Sequence, residues 1–87
     1  MAIFAVIPTG SDKQLDTVLS GQAWADSAYR LPRGEWLVAF DGTSIELSEA
    51  LHISQEDGNG PAIVFAVNAY YGRASVSIWE WLKSRWK

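Results

Sequence analysis

The chain has no cysteine and a single histidine, His52, among its 87 residues. The first absence removes disulfides, thiolate zinc sites, iron–sulfur clusters and cysteine nucleophiles together. The second removes multi-histidine metal sites within one chain. A cysteine-free chain suits a reducing compartment, where disulfides do not persist. Basic residues are scarce as well. Seven Lys and Arg against ten Asp and Glu give a net charge of −3 and a pI near 4.9. Nucleic-acid-binding domains need a basic face, so this balance argues against a nucleic-acid partner. No apolar run approaches the ~20 residues of a membrane helix. The opening MAIFAVIPTG has no basic leader and is cut short by Pro8, so neither a signal peptide nor a transmembrane segment is expected. The expected setting is the cytoplasm.

What is present fits a folded domain. Hydrophobic residues make up 48% and charged ones 20% of the chain, close to globular averages of about 45–50% and about 25%. A chain of this length forms one domain, residues 1–87, whose core buries roughly 60–65% of the unfolded surface.

Strand and helix signals alternate along it. Ala2–Ile7 is a short apolar run closed by Pro8-Thr9-Gly10, the pattern of a buried strand. Ser11 and Gln14 have capping-box spacing; Leu15, Val18 and Leu19 then keep a helical period, with Gly21 as a stop. Ala28–Leu31 and Glu35–Phe40 read as an antiparallel hairpin across Pro32-Arg33-Gly34, where Pro presets the first turn angle and Gly tolerates the unusual angles that close a turn. Thr43 and Glu46 form a second capping box before Leu47, Ala50 and Leu51. SQEDGNGP is loop. Ala62–Tyr70 reads as the last strand, and Ser77 with Glu80 as a third capping box opening a closing helix. The order predicts an α+β fold: a ferredoxin-like β-α-β-β-α-β four-stranded antiparallel sheet with an added C-terminal amphipathic helix.

The closing segment SIWEWLKSRWK holds three of the five tryptophans. Ile78, Leu82, Trp86 and Trp79 share roughly a 100° arc, flanked by Val76 and Trp81. A helix of about ten residues is marginal alone, so this arc must dock. The sheet supplies a place, because its strands are apolar on both faces: Trp36, Val38 and Phe40 oppose Leu37 and Ala39, and Ile63, Phe65 and Val67 oppose Val64 and Ala66. A half-solvated sheet alternates apolar with polar residues; this one predicts a covered second face. One helix is about 10 Å wide and four strands span roughly 15–20 Å, so the helix covers only part of it. A second copy of the chain is the alternative cover.

Charge is uneven along the chain. Arg73, Lys83, Arg85 and Lys87 against Glu80 leave +3 after residue 72, while Lys13, Arg30 and Arg33 against nine acids leave −6 before it. A basic helix packed on an acidic body accounts for this; so does an interaction surface.

Signals for chemistry are thin. Glu49 lies three residues before His52 on one helix face, as a carboxylate orienting a general base would; a surface histidine near a helix end has the same spacing and is the commoner case. DGNG lacks the ligand spacing of a calcium loop. PTGSDK lacks the spacing of a phosphate loop, and Asp12 would repel an anion. No nucleophile elbow is present. No cofactor or metal site is expected. The segment NAYYGR, Asn68–Arg73, concentrates the residue types of interface hot spots. The expectation is a non-catalytic protein-interaction or regulatory module, with a protein partner or a second copy of itself, acting through Tyr70, Tyr71, Arg73, Trp81 and Arg85. The alternative is a small-molecule-binding protein or minor enzyme with a cleft near Tyr70 and Arg73.

Overall fold

The computed structural model describes residues 2–10, 13–53, 60–69 and 76–85. Elements run in the expected order: β1 (Ala2–Pro8), α1 (Lys13–Leu19), β2 (Ala28–Arg30), β3 (Trp36–Phe40), α2 (Ser44–Ala50), β4 (Ala62–Val67) and α3 (Val76–Arg85), with a 3₁₀ turn at Gln22–Trp24. The strands pair antiparallel in one sheet of order β2-β3-β1-β4. The described residues therefore form a small α+β domain of four strands and three helices.

Local chemistry explains the joints. Between β2 and β3, the Gly34 N–H donates to the Leu31 carbonyl (3.1 Å), and the Leu31 N–H donates to the Glu35 carbonyl (2.7 Å). Gly34 sits at φ 98°, a left-handed angle that three-residue hairpin loops require and glycine adopts without cost from a Cβ. At the start of α2 the Thr43 hydroxyl accepts from the Glu46 N–H (3.1 Å), and the Glu46 carboxylate accepts from the Thr43 N–H (2.9 Å). This is the reciprocal cap that the sequence spacing predicts.

The other end of α2 holds the lone histidine. His52 takes φ 56°, its N–H donates to the Glu49 carbonyl (3.1 Å), and the Ile53 N–H donates to the Ser48 carbonyl (3.0 Å). These two bonds form a Schellman stop, a position usually given to glycine. Ile53 then turns into the core beside Leu47, the apolar contact that accompanies the motif.

Three boundaries differ from expectation. β4 ends at Val67 rather than reaching Tyr70, because its ladder partner runs out: Val67 pairs with Ile3, near the start of β1. Ser77 lies inside α3 rather than capping it, and its hydroxyl meets the Tyr29 hydroxyl at 2.9 Å. The short second strand closes at Arg30. Ser11, half of the first expected capping box, and Trp86 lie outside the described residues.

The sheet is apolar on both faces. On one, Phe4, Val6, Trp36 and Val38 meet Leu15 and Leu19 of α1, Leu47 of α2 and its C-cap Leu51. The Trp36 indole N–H donates to Asp16 Oδ1 (2.9 Å), which also lies 3.5 Å from Arg30 Nε; a buried tryptophan needs such a partner for its polar handle. On the other face, Ile3 and Leu37 meet Ile78 and Leu82 of α3, ringed by Tyr29, Leu31, Val67, Trp79 and Trp81. The closing helix thus docks on its own sheet. Each fully buried leucine or isoleucine contributes about 1.5–3 kcal/mol, which supplies what so short a helix lacks by itself.

Candidate interaction surfaces

Catalytic constellations are not assembled among the described residues. His52 is exposed, and what it shares with Glu49 is the backbone bond of the helix stop. No group of three or more His, Asp or Glu side chains converges on a point there. No described helix is long and apolar enough to cross a membrane. Two open grooves stand out among the described residues. One of about 390 Å³ lies among Ala23, Trp24, Ser27, Ala39, Phe40 and Asp41. The other, of about 300 Å³, runs between α2 and β4, lined by Ser44, Ile45, Ser48, Ala62, Ile63 and Val64. Neither brings two ionisable side chains together, as acid–base work requires.

Of the surface expected from sequence, Tyr70, Tyr71 and Arg73 lie outside the described residues. Trp81 and Arg85 are half-buried and engaged within the chain. The Trp81 ring sits 5.9 Å from that of Tyr29 at 48°, and the Arg85 guanidinium lies 5.1 Å from the Trp81 centroid, within cation–π range. Arg85 also donates to the Asp26 carbonyl through Nε (3.1 Å) and Nη2. The basic end of α3 is thereby tied to the turn before β2.

A different surface emerges at the opposite edge. β4 pairs with β1 on one side and with no described strand on the other. Ile7, Ile63 and Phe65 share the face that α3 partly covers, and they remain 37%, 48% and 50% exposed. Ile45 of α2, 71% exposed, lines the groove on the other face beside β4. Four of the five exposed large hydrophobics among the described residues thus border one edge strand; the fifth is Val76.

The ladder fixes which backbone groups that edge offers. The Thr9 N–H donates to the Pro61 carbonyl at 2.9 Å, extending the register in which Ile7 faces Ile63. Antiparallel pairs alternate between hydrogen-bonded and open. Residues 63, 65 and 67 therefore spend their backbone groups on β1, while Ala62, Val64 and Ala66 turn theirs outward. The two sheet edges differ in protection. β2 is only three residues long and contains Arg30, whereas β4 runs AIVFAV with no charge, proline or glycine. Short length and charge are devices that blunt an edge, and β4 has neither.

The signal for this edge is present in the sequence, in an uncharged last strand and a helix too narrow to cover the sheet. Tyrosine, tryptophan and arginine point elsewhere. No protein-family model, curated protein or solved structure matches the chain.

Proposed function

We propose that this protein is a non-catalytic interaction module whose working surface is the β4 edge and the apolar side chains around it. The observation that carries this reading is the coincidence of outward backbone groups with half-exposed Ile63 and Phe65 on one strand. Strand addition uses both at once: main-chain bonds give affinity and alternate side chains give selectivity. The β2-β3-β1-β4 order, with α1 and α2 on one face, supports reading the core as the ferredoxin-like split β-α-β pattern. That pattern leaves β4 at a sheet margin. The cytoplasmic setting inferred from composition belongs to the same proposal.

Affinity capture from native cells tests the reading. Wild type is compared with Ile63→Lys/Phe65→Lys, both at exposed positions, and with Tyr71→Ala/Arg73→Ala, which probes the surface expected from sequence. Loss of a specific protein with the first variant, checked as folded by circular dichroism, supports the β4 edge. Loss only with the second moves the surface to the segment after β4. A captured set indifferent to both rejects an interaction module at either place.

A further inference from the structure

We infer that the partner of the β4 edge is a second copy of the same chain, paired antiparallel β4 to β4 about a two-fold axis through Val64, giving a continuous eight-stranded sheet. The inference rests on the interaction-module reading and names its partner.

Self-complementarity carries it. Two copies of one strand related by a two-fold axis pair residue i with residue j and j with i. The axis must pass through a residue whose backbone groups point outward or between two such residues. Val64 is the central one of the three. Placing it on the axis pairs Val64 with its own copy and Ala62 with Ala66 of the other chain in both directions. All three residues then satisfy their outward N–H and C=O groups.

The same register sets Ile63 opposite Phe65 of the other copy, twice, at the open pairs. There the Cα atoms approach to about 4.5 Å and side chains meet most closely. Aromatic–aliphatic cross-strand pairs are among the favourable ones. Sliding the axis to Ala62 or Ala66 keeps only part of this arrangement and runs β4 past its partner's end. An axis at Ile63 or Phe65 pairs only two of the three outward residues within β4, so the axis at Val64 is the register that uses all three.

Size and charge agree with a second copy. Side chains of this size present about 150–250 Å² when open, so the exposed fractions of Ile45, Ile63 and Phe65 leave on the order of 300 Å² of apolar surface per copy at the edge, Ile7 lying one strand in on β1. The strand edge and its alanines bring the two-copy total to about 800 Å², somewhat below the ~1,000 Å² of a stable specific interface. That predicts a reversible dimer rather than an obligate one. Each copy carries −3, but β4 and the residues lining its groove carry no charge, so the contact itself places no like charges together.

Sedimentation velocity on the full chain tests this, from about 1 μM to about 1 mM, where an interface of this size equilibrates. Wild type is expected to move from monomer to dimer with concentration. Ala66→Pro is the deciding variant. Its lost N–H points away from β1, so the native ladder survives, as edge strands allow, while the bond to the other copy's Ala62 is gone. Both it and Phe65→Lys are expected to weaken dimerisation about tenfold or more with unchanged circular dichroism. Val64→Cys, the only cysteine of its chain, is expected to cross-link to itself on mild oxidation faster than an exposed control, Val76→Cys.

A wild type that stays monomeric overturns the inference. So does a dimer that tolerates Ala66→Pro, or one whose Val64→Cys cross-links no faster than the control. A monomer that still loses a captured protein on Ile63→Lys/Phe65→Lys overturns the second copy and leaves the interaction module standing. A monomer whose captured proteins ignore both variants removes both.

Discussion

Replacing the only histidine with glycine is expected to stabilise this protein. His52 is exposed and stands at φ 56°, where it ends α2. A residue with a Cβ pays roughly 1–2 kcal/mol to hold the left-handed conformation. Glycine avoids that strain but loses more backbone freedom on folding, roughly 0.5–1 kcal/mol. No buried side-chain contact is lost, because the imidazole is in solvent. The balance favours His52→Gly by about 0.5–1 kcal/mol. For a domain of this size 1 kcal/mol moves Tm by about 4–8 °C, so Tm should rise by about 2–8 °C. Urea unfolding and scanning calorimetry measure it, with His52→Ala as control. Alanine keeps the Cβ and the strain, and should stay within about 0.5 kcal/mol of wild type. If glycine is no better than alanine, left-handed strain is not what His52 carries. If both lose more than about 1 kcal/mol, the imidazole makes a contact that its exposure denies.

Three further outcomes probe the packing and the edge. Leu82→Ala, at a position 4% exposed beneath α3, should cost about 2–5 kcal/mol in urea unfolding; a loss under about 1 kcal/mol would mean that α3 does not hold the second face. Asp16→Ala strips the acceptor from the Trp36 indole and should cost about 1–2 kcal/mol, whereas Asp16→Asn, which keeps an acceptor, should recover most of it. The Arg30 contact adds little, since its partners are 48% and 32% exposed and water screens such pairs. Dimerisation should strengthen with added salt, because two copies of charge −3 repel at long range while the contact is apolar; weakening in salt would point to a charged interface elsewhere.

What the sequence reveals and what it hides divide along physical lines. Signals confined to a few neighbouring residues are legible. Pro32-Arg33-Gly34 specifies its own turn, and Thr43 with Glu46 specifies its own cap, because each set of partners lies within four residues. Alternation likewise exposes both apolar sheet faces. The Ser77–Glu80 spacing resembles the Thr43–Glu46 box just as closely, yet Ser77 is drawn to Tyr29, 48 residues away. A local pattern competes there with a tertiary contact and yields to it. The stop at His52 is hidden for a related reason: the position usually taken by glycine is filled by histidine, and the contact that accompanies the motif, Ile53 in the core, is tertiary.

The candidate site divides in the same way. Aromatic and basic residues near the C-terminus look like an interface when read alone. In the fold, Tyr29 and the Asp26 carbonyl already occupy Trp81 and Arg85, so much of their capacity for contact is spent inside the chain. AIVFAV looks like ordinary core, but only Ala62, Val64 and Val67 pack against it, and those only partly buried. Its character as an edge depends on sheet order, and which of its backbone groups face outward depends on the register with β1. Neither property belongs to the strand's own residues. Among the described residues, β4 has neither charge nor short length to blunt it and no strand beside its outer edge, and the helix on its face is too narrow to cover Ile63 and Phe65; if that edge takes a partner, a second copy of the strand is the one certain to be present wherever the protein is.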